Sequence, residues 1–138
     1  MCTYLTEHVR IDGSGKGATG WFGADRATVY VDHPVHAPYG HTVNIVRFNQ
    51  DIDSTPLLKG LPGDSCHCPH WGYVLSGKVT FGFDGREEVI EAGEAFYVGP
   101  GHTQRAEAGT EYLQFSPAKE LREVSARIME NMQAMQSA

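Results

Sequence analysis

The sequence has no cluster of lysine or arginine. Its 11 basic residues are scattered among 17 acidic ones, and the formal net charge is −6 at pH 7. Phosphate backbones are held by a concentrated basic footprint, so nucleic-acid binding is disfavoured. No apolar run approaches the length of a bilayer span, and no membrane partner is expected. The opening residues, M-C-T-Y-L-T-E-H-V-R, lack the basic flank and apolar core of a secretory signal. Cysteine is scarce: there are three, an odd count, and two are nearly adjacent. That does not make a disulfide framework, and the expected setting is the reducing cytoplasm. Internal repeats and low-complexity tracts are absent as well. A glycine-rich stretch at residues 12–20, D-G-S-G-K-G-A-T-G, misses the phosphate-loop spacing because Gly17 follows Lys16. It reads as a flexible loop.

What is present suits a single domain. A chain of 138 residues, 41% hydrophobic and 20% charged, can bury one core. Short alternating or β-branched runs are expected as strands over 27–33, 41–48, 71–75, 79–83, 86–91, 95–98, 102–107 and 111–115, with a further short one at 57–58. In the 41–48 run, Val43 and Ile45 are placed on one side. Asp84-Gly85 is a two-residue hairpin signal, and Gly is frequent, 16 in all, as many tight turns require. This is the pattern of an all-β sandwich or barrel. Trp71, Tyr73, Phe81, Phe83, Phe96 and Tyr97 are expected to fill or line its interior. The end of the chain changes period. Ser116 reads as an N-cap with Pro117 at the first helical position, and Leu121, Val124, Ile128, Met132 and Met135 recur at helical spacing. The expected organisation is an arm and loop over 1–24, a β-barrel over 25–116 and an amphipathic helix over 117–138.

The chemistry concentrates in G-D-S-C-H-C-P-H, residues 63–70. Cys66, Cys68 and His70 stand at i, i+2 and i+4, so in an extended chain all three project from one face. Thiolate and imidazole are the softer protein ligands, favoured by zinc and the later transition metals. His67 falls on the other face. A small buried cysteine is also an ordinary core residue, so a plain packing role stands as the alternative. His33, His36 and His41 surround a proline-rich turn. They are either surface residues or, for one of them, a general base at the barrel mouth.

The segment 63–115 resembles the cupins. The residues that carry the resemblance are W-G-Y-V-L-S-G-K-V-T-F at 71–81 and E-A-G-E-A-F-Y-V-G-P-G-H at 91–102. Cupins carry two motifs whose three histidines and one glutamate hold a metal. Anchoring the first motif on Gly77 puts His70 in the glutamate place and Asp64 and Cys66 in the places of two histidines. Anchoring the second on Gly93 and Gly101 puts Gln104 in the place of the third, with His102 two residues earlier on the same strand face. Ala108 stands where the family has asparagine, and Cys68 has no family counterpart. The resemblance implies a double-stranded β-helix, or jelly-roll, barrel with a C-terminal α-helix. It also implies one bound metal, and the soft cysteine and histidine donors make that a divalent transition metal, zinc first and iron or nickel as alternatives. The expected ligands are Cys66, Cys68, His70 and His102, with Asp64 and Gln104 in reserve. His67, His36 and His41 are the candidates for a catalytic group. The implied partners are a small organic molecule inside the barrel and a second copy of the chain. An enzyme of this kind would be an oxygenase, isomerase or lyase. The alternative is a non-catalytic binding or sensing cupin whose metal is structural or absent, and a third reading is a metal-free barrel with redox-reactive cysteines.

Overall fold

The computed structural model describes residues 40–137, together with the backbone of two short strands before them. The expected arm and glycine-rich loop, most of the turn that carries His36, and the side chain of His33 lie outside the described residues. Among the described residues ten strands, β1 (Ala27–Val29), β2 (His33–Pro34), β3 (His41–Phe48), β4 (Ile52–Asp53), β5 (His70–Ser76), β6 (Lys78–Phe83), β7 (Arg86–Glu91), β8 (Ala95–Val98), β9 (Thr103–Ala106) and β10 (Glu111–Pro117), precede one α-helix, α1 (Ala118–Gln136). They form two antiparallel sheets. One runs β1-β3-β10-β5-β8 with β2 also paired to β3, and the other runs β4-β9-β6-β7. The core between them includes Val46, Phe48, Val74, Val79, Phe81, Phe96, Val98 and Tyr112.

The parity of several strands differs from the sequence expectation. In β3 the inward residues are Thr42, Asn44, Val46 and Phe48, and Val43 and Ile45, which share one side as expected, lie on the outer one. Shifting a strand by one residue exchanges its two faces, and the side chain of Phe48, fully buried, decides the choice. The two polar residues brought inside are accommodated, since the Thr42 hydroxyl donates to the Ser116 carbonyl at 3.3 Å. Val43 and Ile45 instead meet Phe115 and Leu113 across β10 on the outer face. Trp71, Tyr73 and Tyr97 are likewise outward and exposed, at 43%, 43% and 60%, whereas Phe81 and Phe96 are buried as expected. His70 and Val74 take the inward positions of β5, and Phe96 and Val98 those of β8, so the aromatic neighbours must point out.

Two further expectations fail locally. The segment Thr55–Leu58 is a 3₁₀ helix and not a strand. Pro56 stands at its start, where a missing N–H and a fixed φ suit a helical turn. Leu57 and Leu58 are buried all the same. The C-terminal helix starts at Ala118 with Pro117 as its N-cap residue and no side-chain cap. Ser116 is drawn into β10 and its hydroxyl is used elsewhere. Along α1, Leu121, Val124 and Ile128 are buried and Met132 is partly so, but Met135 is 50% exposed because the last turn runs past the barrel.

The helix lies against the 3₁₀ segment and β10. Asn131 fastens it there: its Nδ2 donates to the carbonyls of Leu57 at 2.7 Å and Lys59 at 2.8 Å. Asn131→Ala leaves both carbonyls without that donor. The expected cost is about 1–2 kcal/mol, read as a lower midpoint in urea unfolding. An unchanged midpoint would mean that the apolar stripe alone holds the helix.

Candidate metal centre

Cys66 and His102 are brought together by the backbone. An isolated antiparallel bridge joins them, with the Cys66 N–H donating to the His102 carbonyl at 2.8 Å and the Gly101 N–H donating to the Cys66 carbonyl at 2.7 Å. Directly opposed residues in such a pair project side chains to the same face. His70 is the first residue of β5 and is buried. The three side chains meet between the sheets. One ligand atom from each of Cys66, His70 and His102 lies within 4.8 Å of the others, and all three residues are buried. Cys66 Sγ is 3.6 Å from His70 Nε2. The two imidazoles stand edge to face with centroids 5.3 Å apart, and Phe81 packs edge-on against His102.

Each histidine is oriented by a partner at its other nitrogen. His102 Nδ1 lies 2.7 Å from the Gly99 carbonyl, which can only accept, so Nδ1 carries the proton and Nε2 presents a lone pair. His70 Nδ1 lies 2.6 Å from the Ser116 hydroxyl, leaving Nε2 toward Cys66. Metal-ligating histidines are commonly held in this way, by a hydrogen bond at the nitrogen that does not bind. Burial lowers the His70 pKa to about 3, with His102 adding to the shift. Burial also lowers that of His102, against the opposing effect of the Gly99 carbonyl. Both rings are therefore neutral near pH 7, which is the ligating form. Burial pushes the Cys66 thiol up to about 11, offset in part by its hydrogen bonding with the Cys68 backbone.

The other candidates lie elsewhere. Cys68 is fully buried, but its Sγ turns to the carbonyls of Pro69 and Pro117, at 3.5 and 3.9 Å, and it stands outside the three-residue cluster. Burial raises its thiol pKa, and the Ser116 hydroxyl works in the other direction. Shared parity along an extended chain sets the face, not the direction in which a side chain rotates. Asp64 adopts a positive φ of 50° and its carboxylate accepts from the Gly60 N–H at 2.9 Å, so it is engaged in a turn. Gln104 Nε2 donates to the Tyr112 hydroxyl at 2.9 Å and faces the same interior as the cluster. His67 reaches away to α1, with Nε2 2.8 Å from a Glu123 carboxylate oxygen. His41 is exposed, its ring 6.5 Å from Trp71 on the outer face. His36 lies outside the described residues.

A cavity borders the cluster. Its walls come from β3, β10 and the inner face of α1, with Val46, Leu58, Leu121, Val124 and Ile128 as the apolar side and Ser54, Gln104, Gln114 and Ser125 as polar points. Sequence reasoning passed over Gln114 and gave Ser116 only as a helix cap. Their only signal is that they share parity with Tyr112 along β10, and nothing local says which parity faces in.

The comparisons with known proteins bear on the fold. A family model described as a family of unknown function, DUF6295, matches residues 1–56. No curated protein matches the sequence. Among solved structures, an HTH_3 family transcriptional regulator from Vibrio cholerae aligns with a TM-score of 0.53 at 15% identity, over 75% of this chain and 56% of that one. The chain thus spans just over half the length of that regulator. The EutQ protein of Clostridium difficile aligns with a TM-score of 0.49 at 15% identity, over 80% of this chain and 82% of its own. The Cupin_2 domain of an XRE family transcriptional regulator from Enterobacter cloacae aligns with a TM-score of 0.46 at 11% identity, over 66% and 95%. Among the described residues no helix is long and apolar enough to cross a membrane. With two facing antiparallel sheets in this strand order and a single C-terminal helix, the chain has the cupin fold.

Proposed function

We propose that Cys66, His70 and His102 hold one divalent transition metal, zinc first and iron or nickel as alternatives, and that the protein binds or acts on a small organic molecule inside the barrel. One observation carries this reading: three buried soft donors, two from the stretch 66–70 and one at His102, converge within 4.8 Å. The donor set fits zinc, which takes thiolate and imidazole readily. With Cys68 turned away, the protein supplies three ligands, the number found where a fourth position stays free for water or substrate. A metal held so supplies a Lewis acid and an activated water. The chain supplies the orientation, through Gly99 and Ser116, and a largely apolar enclosure beneath α1. The reducing cytoplasm belongs to the same reading, since Cys66 must remain a thiol to bind.

Elemental analysis of the zinc-loaded, dialysed protein tests the proposal. The wild-type chain is expected to retain about one zinc, and Cys68→Ser to do the same, as a closed tetrahedral shell would not. Cys66→Ser and His70→Ala are expected to retain almost none. Full zinc content in both of those variants, or none in the wild type, would overturn it.

A further inference from the structure

The two sheets present unlike outer faces. On the sheet of β4, β9, β6 and β7, the outward positions include Lys78, Thr80, Glu87 and Arg105, and the last two pair with each other. That face suits water. On the other sheet, the strand register sets Val43, Phe115, Trp71 and Tyr97 side by side across β3, β10, β5 and β8. Ile45, Leu113, Tyr73 and Ala95 form the row beside them. Neither row holds a charge. His41 stands beyond them at one end, and the Arg47–Glu111 ion pair at the other.

Much of this face lies in water. Trp71, Tyr73, Tyr97 and Phe115 are between 43% and 60% exposed. Together the four rings leave on the order of 400 Å² uncovered, as much as the largest apolar patch of an ordinary monomer. The fold does not demand it, because outward positions of a sheet accept Lys or Thr, as β6 shows.

We propose that this face is covered by a second copy of the chain, the two sheets packing on each other about a two-fold axis. Such an interface joins one patch to itself, so a face without charge meets no like charge. The area also fits. The four rings alone supply about half of the ~800 Å² that each partner brings to a standard interface. Leu75, 46% exposed, and the half-buried Val43, Ile45 and Leu113 add to it. Trp71 and Tyr97 already pack together, with ring centroids 5.1 Å apart, so less side-chain freedom is lost on association. A membrane suits the face less well. Surface-bound proteins flank their apolar residues with Lys and Arg, whereas this chain carries a net charge of −6 and Arg47 at the rim is paired.

Sedimentation velocity over a range of protein concentrations tests the proposal. The wild-type chain is expected to be a dimer that dissociates on dilution. Trp71→Glu and Tyr97→Lys each place a charge on both halves of the interface, and each is expected to weaken the dimer about a hundredfold or more. Both side chains point outward, so the circular dichroism spectrum should not change. Tyr97 is the most exposed of the four rings, and Tyr97→Lys carries the test if Trp71→Glu does not fold. Val89→Lys, at a 51% exposed outward position of the other sheet, is expected to leave the dimer intact. The proposal is overturned by a wild-type chain that is monomeric at about 100 μM, where an interface of this size should be populated. It is overturned equally if folded Tyr97→Lys dimerises as wild type does, or if Val89→Lys dissociates the dimer as far. A monomeric wild-type chain that cosediments with phosphatidylcholine vesicles would overturn it too, and give the face to a membrane.

Discussion

Zinc at about a thousandfold excess over its dissociation constant is expected to stabilise the wild-type protein by about 4 kcal/mol. For a chain of this length that is a rise in melting temperature on the order of 10 to 15 °C. The size of the effect follows from where the donors lie. Cys66 and His102 sit on paired backbone and His70 starts β5, so an ion held by all three would tie that bridge to β5. In an unfolded chain His102 is far from Cys66 and His70 and the set binds weakly, and ligand binding confined to the folded state appears in full as stability. Cys66→Ser and His70→Ala should melt at the same temperature with and without zinc. Cys68→Ser should be less stable than wild type, because it opens a fully buried site, and yet show the full zinc-dependent rise. A zinc shift that survives in Cys66→Ser and His70→Ala would place the stabilising ion elsewhere. Equal loss of the shift in Cys68→Ser would bring that sulfur back among the ligands.

Gly72→Ala is expected to destabilise the protein by about 3 kcal/mol or more, a large share of the total stability of a domain this size. Gly72 occupies an inward position of β5 between two outward aromatics. A Cβ there would run into the ring of Phe96 and lie 2.5 Å from the Leu113 carbonyl oxygen of β10. The ring cannot move aside freely, since it packs against Phe81 at 5.2 Å and Tyr112 at 6.1 Å between centroids. The carbonyl belongs to the neighbouring strand and moves only with it. Truncating Phe96 to Leu in the Gly72→Ala background should recover part of the loss and leave the part due to the backbone. Chemical unfolding of the two variants separates these contributions. A Gly72→Ala protein within about 0.5 kcal/mol of wild type would show that β5 and β10 separate more easily than this packing allows.

Much of the strand pattern was legible because turns and alternation are local. Asp84-Gly85 and the runs on either side of it give the β6–β7 hairpin, with Lys78 paired to Glu91 and Phe83 to Arg86. The helical period of Leu121, Val124 and Ile128 was equally plain. Which face points inward was less so. In β3 each face offers two apolar residues, and only the packing of Phe48 settles the choice. In β5 and β8 the largest aromatics face outward, where Trp71 and Tyr97 stack at 5.1 Å, so size alone misleads. For the candidate site, alternation placed Cys66, Cys68 and His70 on one side. It carried no information on the Cys66–His102 bridge, which spans a long sequence separation, or on the rotation that turns Cys68 toward Pro69 and Pro117. Ser116 looked like a helix cap, as Ser-Pro before a helical period commonly is. The competing partner, His70, lies 46 residues away.

The placement of β10 also orders events in time. This strand lies between β3 and β5 in its sheet, yet it follows both in the chain and leaves the ribosome after them. Until it emerges, β3 and β5 each lack a neighbour on one edge, and pairings across such long separations form slowly. The Ser116 hydroxyl that orients His70 arrives with the same strand, as does Gln114. A nascent chain that has exposed only Cys66, His70 and His102 therefore has the donors without the arrangement. An ion held in the proposed geometry would therefore report that β10 has joined its sheet.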